Sequence, residues 1–398
     1  MPVPLLDVNA QNLPLEPELA AAFQRVLRSG HFIMGPDVPA LEQEIAQMTG
    51  AKHAIGVSSG TDAILLALMS LGIGPGDEVL CPTFTFFATA GCIARVGATP
   101  VFVDADPLTF NVDVADAARK VTSRTKAVLP VHLFGQCADM DAVVHLAEKH
   151  KLAVIEDAAQ SLGAIYKGRG AGAIGHLGTY SFFPSKNLGA LGDAGMVVAR
   201  DDVQADKARL LRTHGSRPKY FHKEIGGNFR LDSLQAAFLR VKLPHYRDYT
   251  ARRQANAAWY TEHLSKLPGV ILAADAASTR DASVRLILPA DSNPVDPGKD
   301  SKSASVHIWN QYTVRVLGPG RRDALRKHLS DRGIGHEIYY PVPMHRQECF
   351  GYLGAQDSCP VAKQLADEVL SIPVFPELTE AQRREVVDAI SAFLVSHQ

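Results

Sequence analysis

The strongest constraint on how this chain can fold is an alternation. From about Ala54 onward, short segments rich in β-formers recur: VLCP from Val79, VFVDAD from Val101, AVLPVHL from Ala127, AVIED from Ala153, YSFF from Tyr180 and GMVVA from Gly195. Stretches with amphipathic helical spacing separate them. Strands linked through helices pair by crossover rather than by hairpin, so the order predicts an α/β fold with a mainly parallel central sheet sandwiched by helices. In such sheets ligands bind at strand ends. LALMSLGIGPGDEVL, from Leu66, predicts a helix stopping near Gly72 and a turn at Gly74 to Gly76. A helix-rich region from Leu234 to Leu264 is expected to lead from a large domain, 1–245, into a smaller C-terminal α/β domain, 246–398.

Bulk properties exclude several function classes. The 398 residues, 46% of them hydrophobic, suffice for two cores, and a net charge of −1 offers no global field for a polyanion. Local basic groups such as Lys151 or Arg321-Arg322 remain, but small anionic ligands fit better than nucleic acid. The longest apolar runs, Ala63 to Met69 and Met196 to Ala199, fall well short of the ~20 residues that span a bilayer. MPVPLLDVNAQNLPLEPELA lacks the plan of a secretory signal, so a cytoplasmic location is expected. Cys81, Cys92, Cys137, Cys349 and Cys359 are odd in number and none has metal-ligand spacing, so they read as ordinary thiols, with no metal expected. Asp275 to Ser305 is polar apart from VRLILPA and reads as a mobile surface insertion.

Three constellations carry chemistry. In VSSGTDAILLAL, Ser58-Ser59-Gly60-Thr61 runs directly into an apolar helix, where free backbone N–H groups, a glycine and a hydroxyl suit a phosphate monoester. An ordinary Ser/Thr N-cap has the same text. AVIEDAAQS ends a strand at Glu156-Asp157, followed by Gln160; a carboxylate there can hold a heteroaromatic N–H, or can cap a helix. GTYSFFPSKNLGALGDAGMVV places Lys186 in a Pro- and Gly-punctuated loop beside Phe182 and Phe183, where burial would free its amine to attack an aldehyde. Isolated lysines are mostly solvated, but phosphate cradle, acid and lysine follow in the order one cofactor requires.

On these motifs the chain resembles the DegT/DnrJ/EryC1/StrS family of pyridoxal-phosphate (PLP) nucleotide-sugar aminotransferases, of fold type I. The likeness runs from FIMGPDVPALEQEIA through SGTDA, PTFTFFAT, PVHLFGQCADM, EDAAQ, SFFPSKNLG and GGNFRLD to YYPVPMH. It implies that Gly60, Thr61 and Ser181 bind the cofactor phosphate, Phe86 stacks on the pyridine, Asp157 pairs with the ring nitrogen, Gln160 bonds the ring hydroxyl and Lys186 holds the cofactor as a Schiff base. Asn228 is implied to reach the phosphate of a neighbouring subunit, which makes the expected protein a homodimer.

The resemblance also implies a nucleotide-linked keto sugar as acceptor and L-glutamate as donor. Arg230, with Arg217, Lys219 and His222 of RPKYFHK, are candidates for the diphosphate; Tyr340 and His345 are candidates for facing the sugar. KNLGALGDAG resembles members acting on 3-keto sugars more than the KxITTGEGG text of 4-keto enzymes, so amination at C3 is expected, with C4 as the alternative. Members with histidine in place of the lysine resemble dehydratases, so Lys186 argues for transamination. The rival from another class is a PLP-binding regulatory protein without turnover.

Overall fold

The computed structural model describes residues 2–276, 283–289 and 304–396. Seven strands form the main sheet: β1 His53–Val57, β2 Glu78–Pro82, β3 Thr99–Val103, β4 Thr125–Val128, β5 Ala153–Asp157, β8 Leu177–Ser181 and β9 Gly195–Ala199, with a two-stranded hairpin, β6 Ile165–Tyr166 and β7 Arg169–Gly170, set apart from it. Their order is β1-β9-β8-β5-β4-β2-β3. Only β9 runs against the other six, so the sheet is mixed but mainly parallel.

Period-two alternation divides the core between the two faces. Leu80, Val128 and Val154 pack with Met140, Val143 and Leu146 of the helix Met140–His150. Their neighbours Cys81, Ala127 and Ile155 face the opposite core with the helix Gly60–Ser70. That helix buries Ala63, Ile64, Leu65, Leu66, Ala67 and Leu68 in one run, because it is covered all round. It ends as the sequence predicts, with Gly72 at φ +69°.

A second sheet has the order β10-β11-β12-β13: Val270–Leu272, Leu286–Leu288, Tyr312–Val316 and Val369–Ile372. The helices Arg321–Asp331, Pro360–Glu368 and Glu380–Ser396 belong to the same part of the chain. The apolar piece of the expected insertion is therefore a strand: Leu286 and Leu288 are fully buried and paired with β10. Residues 277–282 and 290–303 of that stretch lie outside the described residues.

Specific bonds tie the second part to the sheet edge. Asp104, just past β3, accepts from the N–H groups of Val361 and Ala362 at 2.9 and 2.7 Å, capping the helix Pro360–Glu368 from the other sheet. Arg315 donates to the Pro107 carbonyl at 3.0 Å. Among the described residues no helix is long and apolar enough to cross a membrane.

Candidate active site

Strands β1, β2, β5 and β8 end at one edge of the sheet, and the candidate residues converge there. Behind β1, Ser59 caps the helix Gly60–Ser70 by accepting from Asp62 N–H at 3.0 Å, and Ser58 Oγ bonds the Asp62 carboxylate at 2.5 Å. These bonds shape the turn and leave the first N–H groups of the helix, at Gly60 and Thr61, without intrahelical partners. A Cβ on Gly60 would lie 2.7 Å from Ser181 Cβ, so the absent side chain creates the space between the two strand ends. Gly195 is required for a related reason: a Cβ there would meet the Ser59 carbonyl at 2.3 Å. The N-cap reading and the phosphate reading are therefore compatible: Ser59 is the cap, and Gly60, Thr61 and Ser181 surround the space beyond it.

At the end of β5 the alternation separates the acidic pair. Glu156 points to the Met140–His150 side, wholly buried, where it accepts from His132 Nε2 at 2.8 Å and from the N–H groups of Gly172, Ile174 and Gly175 at 2.9, 2.7 and 2.5 Å. It is a structural anchor. Asp157 faces the opposite side, buried, with Oδ2 accepting from Thr89 Oγ1 at 2.8 Å and Oδ1 from Ala159 N–H at 3.2 Å. Burial raises its pKa above the usual carboxylate value, opposed by the Thr89 and Ala159 bonds and by the charges of Lys186 and His132. Gln160, in the turn that follows, accepts from Phe134 N–H at 2.7 Å and donates to the Tyr340 hydroxyl at 3.1 Å.

Lys186 sits in the loop joining β8 to β9. The loop is pinned by Phe182 N–H to Ala194 O at 2.8 Å, Ala190 N–H to Phe182 O at 2.7 Å, and Lys186 N–H to Phe183 O at 2.8 Å. From beneath, the buried Lys242 donates to the Gly189 carbonyl at 2.6 Å. Desolvation brings the Lys186 ammonium down to about 8, with the Asp157 charge working against the shift. Among the described residues its Nζ makes no hydrogen bond or ion pair.

The remaining candidates differ in placement. Phe86 is 58% exposed and lies 6.3 Å from the Tyr340 ring, an aromatic surface open to a planar ligand. Tyr340 also packs edge-on to Phe84 at 6.2 Å, which holds its hydroxyl toward Gln160. His345, expected to face the sugar, is 1% exposed; its Nδ1 bonds Thr83 Oγ1 at 2.7 Å and its N–H donates to the same oxygen at 3.0 Å. It fastens YYPVPMH to the end of β2 and stands in the wall of the site. Burial lowers its pKa to about 4, helped by Arg346, so it is neutral at pH 7.

Arg230 bridges Val57 at the end of β1, beside the Ser58–Thr61 turn, half-buried and with no ion-pair partner among the described residues. Asn228 is exposed and pairs through its backbone with Thr213. Within RPKYFHK, Arg217 is already paired with Asp206 at 2.8 Å, Lys219 lies over the Tyr220 ring at 4.9 Å and His222 bonds the His214 carbonyl at 2.9 Å. Thr89, Thr83 and the Phe134 N–H were not singled out from sequence. Their significance lies in contacts across long stretches of chain that no local pattern announces.

No group of three or more His, Cys, Asp or Glu able to hold a metal is present among the described residues, and all five cysteines are free. The site fits a phosphorylated pyridine aldehyde instead. Unbonded N–H groups and a glycine cradle suit the phosphate, a buried carboxylate suits a ring N–H, and a free lysine of depressed pKa suits the aldehyde.

Fold and site together define a PLP-dependent aminotransferase of fold type I. The chain belongs to the DegT/DnrJ/EryC1/StrS aminotransferase family, whose pattern matches residues 15–391. It is 46% identical to a pleiotropic regulatory protein of Geobacillus stearothermophilus, covering 99% of both chains. It is 44% identical to the UDP-N-acetyl-3-dehydro-alpha-D-glucosamine 3-aminotransferase of Acidithiobacillus ferrooxidans, over 98% of this chain and 97% of that one. Its fold matches the crystal structure of Streptomyces venezuelae DesV in complex with a ketimine intermediate, with TM-score 0.88 and 40% identity over 99% and 98% of the two chains. The protein is a PLP-dependent nucleotide-sugar aminotransferase.

Proposed function

We propose that the enzyme transfers the amino group of L-glutamate to C3 of a nucleotide-linked 3-keto hexose, as a cytoplasmic homodimer. The observation that carries the reading is the convergence, at one sheet edge, of a free lysine held near pKa 8 with a buried aspartate. Similarity to the 3-dehydro sugar aminotransferase, together with the KNLGALGDAG loop, supports C3.

In this reading Gly60, Thr61 and Ser181 hold the cofactor phosphate, Phe86 covers one face of the ring, Asp157 keeps the ring nitrogen protonated and Gln160 orients the ring hydroxyl. When bound, PLP supplies the aldehyde that receives the amino group and the electron sink for the carbanion. Lys186 Nζ would first secure the cofactor; released, it would take the proton from the donor α-carbon as general base and deliver it, as general acid, to the cofactor carbon that had been the aldehyde. Arg230, a cation without a carboxylate partner, would meet the sugar's diphosphate, and Tyr340 would line the sugar's approach.

The homodimer is supported by apolar surface beside the site. Phe87 and Phe183 are each roughly half exposed, and so are Phe32 and Ile33, where Ile33 bridges Asp232 next to the Asn228–Leu231 segment. A second copy covering this surface would bring its Asn228 toward the phosphate.

The names of two relatives, one regulatory and one sensory, favour the regulatory alternative, but the lysine and its buried acid support turnover. Incubation with L-glutamate and a panel of UDP-, dTDP- and GDP-linked keto hexoses, with product regiochemistry by NMR, tests the proposal. An amine at C3 supports it and an amine at C4 overturns the regiochemistry. Cofactor binding with no turnover across the panel would return the regulatory reading.

A further inference from the structure

Asp157 is served by a buried chain of hydroxyls. Thr89, in the first turn of the helix Phe87–Arg95, gives its hydrogen to Asp157 Oδ2 at 2.8 Å, and Thr85 Oγ1 lies 3.0 Å from Thr89 Oγ1. Thr85, Thr89 and Asp157 are 1%, 0% and 4% exposed, so solvent does not substitute for any of these bonds. A hydroxyl carries one hydrogen. With Thr89's hydrogen on the carboxylate, Thr85 must be the donor to Thr89, and both O–H dipoles point toward Asp157. Oδ1 is fixed separately by the Ala159 N–H at 3.2 Å. An ionised Oδ2 is the stronger acceptor for the Thr89 hydrogen, so the chain of hydroxyls favours the charged form of the acid.

The mechanism derived above does not use these threonines. We propose that Thr89, oriented by Thr85, is a positioning residue that keeps Asp157 ionised and aimed at the ring nitrogen of the cofactor. The proposal rests on the reading that Asp157 pairs with that nitrogen. Burial alone would drive Asp157 toward its neutral form, and a neutral acid leaves the ring a poorer electron sink. Besides the charges of Lys186 and His132, the Thr89 hydroxyl is the side chain that opposes this.

The test is the nitrogen-15 chemical shift of ring-labelled PLP in the holoenzyme, read together with glutamate half-reaction kinetics. Thr89→Val keeps the side-chain shape and removes the hydroxyl; Thr89→Ser keeps the hydroxyl. The expected result is a protonated-ring shift in the wild type and in Thr89→Ser. In Thr89→Val the shift should move toward the unprotonated range, with kcat down about tenfold and KM for glutamate within about twofold. Thr85→Val, one bond further away, should move the shift in the same direction by less.

A wild-type shift in Thr89→Val overturns the proposal. If Thr89→Val does not fold, an unmoved shift in folded Thr85→Val overturns the relay. An unprotonated ring in the wild type, or an unchanged shift in Asp157→Asn, would instead show that the underlying assignment of Asp157 is wrong.

Discussion

Gln160 donates to the Tyr340 hydroxyl at 3.1 Å while its carbonyl accepts from Phe134 N–H at 2.7 Å, so one amide joins the turn after β5 to a segment 180 residues further along the chain. Both ends of the amide are committed, which fixes its orientation. Tyr340→Phe would leave the Nε2 donor without this partner. A neutral hydrogen bond is worth about 1 kcal/mol net, so kcat/KM for the nucleotide sugar should fall about fivefold with the cofactor retained. Steady-state kinetics and a cofactor absorption spectrum check both halves.

Lys186 gives a pH dependence. Its folded-state pKa of about 8 lies below the 10.5 of an ordinary lysine, chiefly through desolvation. The unfolded chain therefore binds more protons between those values, and this group's contribution to stability rises with pH across that window and is lost as pH falls through about 8. The free-amine fraction rises over the same range. Covalent capture of PLP by the apoenzyme, followed by stopped-flow absorbance, should accelerate with pH and level off above about 8. A rate still climbing in proportion to hydroxide at pH ~10 would indicate an unperturbed lysine.

Gly60→Ala tests the phosphate cradle. The new methyl would sit 2.7 Å from Ser181 Cβ, closing the space between the ends of β1 and β8. The expected outcome is a folded protein whose affinity for PLP falls at least about tenfold, corresponding to ~1.4 kcal/mol. Fluorescence titration of the apoprotein with PLP measures it.

Glu156→Gln tests the division of labour in the acidic pair. An amide cannot accept from His132 and from three backbone N–H groups as the carboxylate does. The cost should be about 3 kcal/mol of stability, seen as a lower denaturation midpoint. Asp157→Asn should behave in the opposite manner, with a small change in midpoint and a large loss of turnover.

Much of the architecture could be read from the chain because each strand carries a local signal. GMVVA is β9 and AVIED is β5, residue for residue. AVLPVHL is shorter as a strand, ending at Val128, because Pro130 has no N–H to continue the ladder. The order of the Ser58–Thr61 turn, Asp157 and Lys186 was legible because the turn follows β1, Asp157 closes β5 and Lys186 lies in the loop after β8.

What sequence could not supply is tertiary. Thr89 meets Asp157 across 68 residues and Thr83 meets His345 across 262, distances over which no periodicity operates. His345, a candidate for facing the sugar, is buried against Thr83, a contact that its place in YYPVPMH does not announce. VRLILPA stood out from the polar text around it, but the three residues Leu286–Leu288 that form the buried strand are too few to register as a pattern.

The role proposed for Lys186, the reactive amine of a working aminotransferase, has a direct spectroscopic signature. The most direct measurement is the absorption spectrum of the purified protein with PLP, before and after L-glutamate, followed by borohydride reduction and peptide mapping. A yellow band that bleaches with glutamate and a reduced adduct on Lys186 are expected, both lost in Lys186→Ala together with turnover. A protein that stays colourless with added PLP, or an adduct on another lysine, would contradict it.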